Sequence, residues 1–140
     1  MYGNTEKIAK AIGEGVAGDV EVLRSDEADF SKLEAFDLVI VGSPTHGGRP
    51  TPAMRDFLSR APEPMFKGTK VAAFDTRGAN KLVGVFGYAG ERIGNSLKGK
   101  GGRLVVSPEG FYVKGTKGPL KEGELERAAG WGKGIVNGLK

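Results

Sequence analysis

Three short segments of this 140-residue chain combine amide or hydroxyl side chains with glycine in a way that suits a phosphorylated or planar ligand. The first is Tyr2-Gly3-Asn4-Thr5, which leads straight into an amphipathic stripe. A helix N-terminus offers unpaired amides and about half a positive charge, and Asn4 and Thr5 add side-chain donors, so a phosphate suits that position. The alternative is that Asn4 or Thr5 simply caps the helix. The second segment runs from Gly42-Ser43-Pro44-Thr45 through His46-Gly47-Gly48 to Arg49-Pro50-Thr51-Pro52. It reads as a rigid, donor-rich loop whose adjacent glycines let backbone amides approach a flat ligand. The third, Asp75-Thr76-Arg77-Gly78, is another polar turn. His46, the sole histidine, is either a proton donor beside a ligand or an exposed loop residue. Ser43 lies in a Gly-x-Pro context rather than the Gly-x-Ser-x-Gly elbow, which argues against serine hydrolysis. The absence of cysteine excludes thiolate metal sites, iron–sulfur clusters, disulfides and a cysteine nucleophile, so redox chemistry here requires a bound cofactor.

The elements that must position these segments are legible from hydrophobic pattern. Residues 38–41, 71–74 and 104–106 are short continuous apolar runs, the signature of strands covered on both faces in a parallel sheet. Residues 19–23 alternate apolar with polar, which predicts an edge strand. Helical stripes lie between them: Ile8, Ile12 and Val16; Met54, Phe57 and Leu58 behind a Thr51 cap and Pro52; Leu82, Phe86, Ala89, Ile93 and Leu97, ending at Gly99, Gly101 and Gly102; and Leu125 to Leu139. Glycines 84, 87, 90 and 94 weaken the third of these helices. Trp131 is expected to pack rather than to serve a ligand. Alternating helices and buried strands predict a single α/β domain over residues 1–140 with helices on both faces of the sheet.

Formal net charge is +4, with Lys and Arg spread from Lys7 to Lys140 and no block of like charge, which argues against general nucleic-acid binding while leaving room for an anionic partner. The 24 glycines imply many turns or close backbone approaches. No apolar stretch reaches the length of a membrane helix, and the first residues lack the apolar centre of a signal peptide; the expectation is a soluble, cytoplasmic protein without a membrane partner.

Taken together, the three ligand-facing segments resemble the flavodoxin family, and the similarity extends over nearly the whole chain. Tyr2-Gly3-Asn4-Thr5-Glu6-Lys7-Ile8-Ala9 is similar to the end of that family's phosphate loop and the start of its first helix. The stretch from Phe36 through Val41 to Thr45 resembles its third strand and first flavin loop, Phe74 to Gly78 the second flavin loop, and Gly110 to Ala128 the tail of short flavodoxin-like proteins. The resemblance implies a doubly wound parallel sheet and bound flavin mononucleotide (FMN). Its phosphate would be held by Tyr2, Gly3, Asn4 and Thr5, and its ring lined by Ser43, Pro44, Thr45, His46, Gly47 and Gly48 on one side and by Thr76, Arg77 and Gly78 on the other. Two departures stand out: the chain is basic where the family is typically acidic, and neither flavin loop contains Phe, Tyr or Trp. Arg49 and Arg77, if near the ring, would stabilise the negatively charged reduced flavin; alternatively Arg77 is a surface turn residue paired with Asp75.

In the family's strand order, 2-1-3-4-5, the first strand is central and precedes the phosphate loop. Only Met1 precedes Tyr2, so the resemblance implies that this first, central strand is missing from the chain and that FMN affinity is weakened. The gap would be closed by pairing 19–23 with 38–41, by a homodimer that exchanges or adds segments, or by a shift of strands, and self-association is the favoured expectation. The function implied is electron transfer with redox partner proteins, more as a carrier than as an enzyme. The alternatives are an FMN-dependent reductase of quinones or small acceptors and a cofactor-free interaction module.

Overall fold

A computed structural model describes residues 3–33, 35–45, 49–62, 65–78, 88–114 and 119–138. Helix α1 (Asn4–Val16) is followed by an irregular extended stretch and the short α2 (Phe30–Leu33). Then come β1 (Leu38–Pro44), α3 (Pro52–Arg60), β2 (Lys70–Gly78), α4 (Ala89–Gly99), β3 (Arg103–Leu104), β4 (Glu109–Val113) and α5 (Glu124–Gly138).

All the strand pairs are parallel: β1 lies beside β2, and β2 beside both β3 and β4. The last two are one strand interrupted at residues 105–108. β3 pairs with the start of β2 (Lys70↔Arg103) and β4 with its end (Phe74↔Glu109). Of the apolar run at 104–106 only Leu104 lies in the strand, which opens at Arg103 and resumes at Glu109. Pro108 has no N–H to give a ladder and packs instead toward α4, where it would lie 3.2 Å from a Cβ at Gly94.

Both faces of the sheet are covered, as continuous apolar strands require. Val39, Val41, Val71 and Ala73 point to one side and pack with Met54, Phe57 and Leu58 of α3 and Ile93 and Leu97 of α4. Phe74 and Phe111 point to the other, against Ile8, Ala11 and Ile12 of α1 and Ala128 of α5. Trp131 packs there half-buried, its ring edge-on to Phe74 and Phe111 at 6.3 and 6.0 Å. Thr51 caps α3, its hydroxyl accepting the Met54 N–H at 3.2 Å, with Pro52 at the first helical position. Helix α4 closes through the Gly102 N–H on the Leu97 carbonyl, and Gly101 has φ +95°. The expected helical stripe from Leu82 is described only from Ala89 onward; Leu82, Phe86 and Leu139 lie outside the described residues.

Two glycines are explained by the packing of α1 on α5. A Cβ at Gly15 would lie 1.8 Å from the Ala129 carbonyl oxygen, and one at Gly132 would lie 2.4 Å from that of Ile12. The two helices touch backbone to backbone, and this close approach fixes α1 on the sheet.

The two edges of the sheet differ. The outward main-chain groups of the β4 edge are all engaged: Arg127 donates to the Gly110 carbonyl, the Tyr112 N–H donates to Glu124 at 2.7 Å, Lys121 N–H donates to the Tyr112 carbonyl, and Lys114 N–H donates to Pro119. This edge is closed to further strands. At the other edge β1 has no second strand partner among the described residues. The expected strand at 19–23 does not form: alternation creates a strand only where a ladder exists to pair with, and none reaches this segment. Val20 and Val22 remain 40% and 41% exposed and lie instead beside Gly13 of α1.

Candidate functional site

The three ligand-facing segments converge on the carboxyl edge of the sheet. Parallel pairing of β1 with β2 puts Ser43 opposite Asp75 and Pro44 opposite Thr76, so Asp75 to Gly78, expected as a turn, form instead the end of β2 beside the end of β1, because the ladder extends that far. The ladder continues one step further, with Thr45 N–H donating to the Thr76 carbonyl at 2.9 Å. Helix α1 arrives at the same edge, where Thr5 Oγ1 and Thr76 Oγ1 share a hydrogen bond of 2.7 Å. The start of α4 completes the arrangement: Ala89 N–H donates to Thr45 Oγ1 at 3.2 Å and Gly90 N–H to Asp75 Oδ2 at 2.8 Å.

Neither Asn4 nor Thr5 caps α1. The N-cap is Gly3, in the left-handed region at φ +75°, with no side-chain capping bond. Asn4 is buried in the first turn, and the Thr5 hydroxyl is turned to Thr76. No side chain of the N-cap residue competes for the first-turn amides, and a Cβ at Gly3 would meet no described atom within 4 Å. This is the donor set and the space that a phosphate uses. Tyr2, His46, Gly47 and Gly48 lie outside the described residues.

Ser43 is buried, its hydroxyl donating to the Pro44 carbonyl at 2.9 Å and accepting Thr51 N–H at 3.0 Å. It ties the loop to the cap of α3, so it shapes the turn after β1 from within. Gly78 ends β2 with open space around it.

Arg77 pairs with Asp75, as one of its two readings had it, but as a largely buried residue of β2 rather than a surface turn residue. Its Nε and Nη2 donate to the two carboxylate oxygens of Asp75, each at 2.7 Å. Asp75 is completely buried and the Arg77 side chain is 12% exposed. Burial works against the guanidinium charge, but the hydrogen bonds and charge of Asp75 outweigh it and hold the Arg77 pKa above its ordinary value. The guanidinium lies between the ring of Tyr88, 3.3 Å from its centroid, and the α-carbon of Gly110, where a Cβ would fall 2.2 Å from Arg77 Cζ. A larger residue at position 110 would expel it.

Sequence reasoning missed Tyr88 and the structural part played by Asp75. Tyr88 stands eleven positions after Arg77 in the chain, and only the return of α4 onto the end of β2 brings them together. Gly90, which weakened the helical pattern, carried the available signal: a Cβ there would meet Asp75 Oδ2 at 2.8 Å.

The residues present fit a phosphorylated flavin. They offer a helix N-terminus capped by glycine, the hydroxyls of Thr5 and Thr76 and glycines at 3 and 78, and the edge carboxylate Asp75 is neutralised by Arg77, so it does not repel a phosphate. Among the described residues no group of three carboxylate or imidazole side chains is placed to hold a metal ion.

The family model for flavodoxin matches residues 1–131. The chain belongs to the flavodoxin family. A flavodoxin of Clostridium saccharobutylicum is 30% identical over 148 aligned positions, covering 99% of this chain and 91% of that protein. The fold superposes on oxidised flavodoxin 1 of Bacillus cereus with a TM-score of 0.78 at 22% identity, covering 98% of this chain and 92% of the other. A flavodoxin from the domain Archaea gives 0.79 at 23% identity, with 98% and 91% covered. This flavodoxin is thus an FMN-binding electron-transfer protein that acts with redox partner proteins. No helix among its described residues is long and apolar enough to cross a membrane.

Proposed function

We propose that FMN lies along the carboxyl edge of β1 and β2, with its phosphate at the start of α1. Tyr2, Gly3, Asn4 and Thr5 hold the phosphate, through the amides around Gly3 and Asn4 and the Thr5 hydroxyl. Pro44, Thr45, His46, Gly47 and Gly48 line one side of the ring, with Ser43 shaping their turn from below; Thr76, Arg77 and Gly78 line the other. When bound, FMN supplies the electron chemistry; the chain orients it and excludes water. The Asp75–Arg77 pair keeps the end of β2 and the start of α4 in one piece, so the ring meets a rigid wall.

The observation that carries this reading is the Thr5–Thr76 hydrogen bond of 2.7 Å beside the Pro44–Thr76 register, because it puts all three segments within reach of one ligand. With Thr76 as donor, the Thr5 proton is free for a phosphate oxygen. Titration of Thr5→Ala with FMN and with riboflavin tests the assignment. A lost hydrogen bond to a charged group weakens FMN binding about tenfold, while riboflavin, which lacks the phosphate, binds as before. Equal losses for the two flavins would remove Thr5 from the phosphate site.

The same reading places the protein in the cytoplasm as a single domain and gives the outer edge of β1 a strand from a second copy in a homodimer. An unpaired edge in the described sheet supports this. Sedimentation equilibrium returning one 14.7 kDa species would contradict the dimer.

A further inference from the structure

The helices α3 and α4 run side by side over one face of the sheet, and between them lies an open cleft of about 610 Å³. Its walls carry Arg49, Arg55, Arg92 and Lys100, with Ser59 and Ser96 between them, and no acidic side chain among the described residues lines it. Among the described residues the acidic side chains nearest in sequence, Asp56 and Glu91, lie on the same helices outside the lining, and Asp56 is held by Arg60 at 2.8 Å. Arg49, Arg55 and Arg92 are exposed. We infer that this groove docks the acidic face of the protein with which the flavodoxin exchanges electrons.

Two features favour a protein face over a small anion. The cations are strung along the helices rather than gathered on one point: Arg55 and Arg92 lie in the first turns of α3 and α4, and Lys100 lies just past the last turn of α4, about 12 Å further along at 1.5 Å per residue. Lys100 also donates to the Ala61 carbonyl at 2.5 Å, so that end is partly occupied. Second, the upper end of the groove opens on the candidate flavin edge. Arg49 follows the turn after β1, and Arg92 lies one turn beyond Ala89 and Gly90, whose amides hold Thr45 and Asp75. A partner seated there approaches the flavin; a small anion has no need of that adjacency. Complementary charge speeds encounter and sets orientation, and its effect falls with salt.

The inference rests on the FMN reading only for its electron-transfer consequence, and the test separates the two. The FMN-loaded protein is mixed with a reduced, strongly acidic [2Fe–2S] ferredoxin as probe, from about 0.01 M to about 1 M salt, which shrinks the screening length from about 30 Å to about 3 Å. In a parallel arm, a fluorescent oligoglutamate peptide is titrated onto the protein by anisotropy, a readout that needs no flavin. Arg55→Glu/Arg92→Glu is compared with Lys10→Glu/Lys133→Glu on the opposite layer; each reversal changes the charge by two, so both pairs take the formal net charge from +4 to 0. The expected result is a salt-dependent rate for the natural chain, a roughly tenfold or greater loss of low-salt rate and peptide affinity for the arginine pair, and less than half that loss for the lysine pair, with FMN affinity and far-ultraviolet circular dichroism unchanged. If Arg55→Glu/Arg92→Glu fails to fold, Arg55→Gln/Arg92→Gln carries the comparison. Equal losses in both pairs would show that net charge alone acts, and no loss in either would remove the groove. Competition of the peptide by micromolar pyrophosphate would make the groove a small-anion site. Each of these three results overturns the inference. A protein that binds no FMN yet shows the peptide pattern keeps the groove and loses the flavin assignment.

Discussion

Removing the carboxylate of Asp75 should destabilise the protein by about 3–5 kcal/mol, because it leaves the largely buried guanidinium of Arg77 without its counter-charge. Both Arg77 bonds are 2.7 Å long and bidentate, and the same carboxylate holds the first turn of α4 through Gly90 N–H at 2.8 Å. A surface pair is worth about 0–1 kcal/mol, so the size of the effect distinguishes a buried strut from a turn decoration. The assay is urea denaturation followed by Trp131 fluorescence, since that ring packs on Phe74, next to Asp75. With a slope of about 2 kcal/mol per molar urea, a loss of about 4 kcal/mol moves the midpoint down by about 2 M. Arg77→Met alone leaves the buried carboxylate, among the described residues, with only the Gly90 amide and falls in the same range. The double variant Asp75→Ala/Arg77→Met should be more stable than either single change, because no unpaired charge remains. If the single variants are too unstable to study, Asp75→Asn, which keeps an acceptor for Gly90, gives the same sign with a smaller loss. Single-variant losses below about 1 kcal/mol, or a double variant at the sum of the two singles, would refute the argument that this pair acts as a buried unit.

Helix propensity alone would make Gly15→Ala stabilising by about 1 kcal/mol, but a Cβ 1.8 Å from the Ala129 carbonyl must part α1 from α5. The expected result is a net loss of about 1–3 kcal/mol in thermal unfolding, accompanied by weaker FMN binding as the start of α1 shifts. Gly110→Ala should expel Arg77 from its place over Tyr88, seen as a changed Tyr88 fluorescence or ring-shift signature and a stability loss of about 1–3 kcal/mol. The hydrogen bonds of Arg127 hold the Glu124 carboxyl below its usual range; burial opposes them and the Tyr112 amide adds to the lowering. Since the folded pKa is the lower one, this stabilisation is fully present above the ordinary glutamate pKa and disappears as pH falls through the depressed value. Glu124→Gln should cost about 1–3 kcal/mol at neutral pH and flatten that acid limb of the stability profile. Glu124→Ala, which removes the acceptor altogether, should also free the Tyr112 amide on the β4 edge, so its solutions should scatter more light on standing.

What the sequence determined by itself follows from local pattern. The continuous apolar runs at 38–41 and 71–74 require cover on both faces, and the sheet has it; Thr51-Pro52 starts α3 because capping is a matter of neighbouring residues. The three polar segments were readable as one site only jointly, since each alone has an ordinary local explanation. Tertiary structure decided the rest. Alternation at 19–23 could not make a strand, because a ladder needs a partner that no local signal supplies. The strand begun at Arg103 resumes beyond Pro108 because β2 is long enough to pair with both halves. Asn4 and Thr5 are released from capping because Gly3 takes that position and Thr76 comes within 2.7 Å. The union of Asp75, Arg77, Tyr88 and Gly110 depends on which strands and helices end side by side, and contacts of that kind are fixed by the crossing of distant segments.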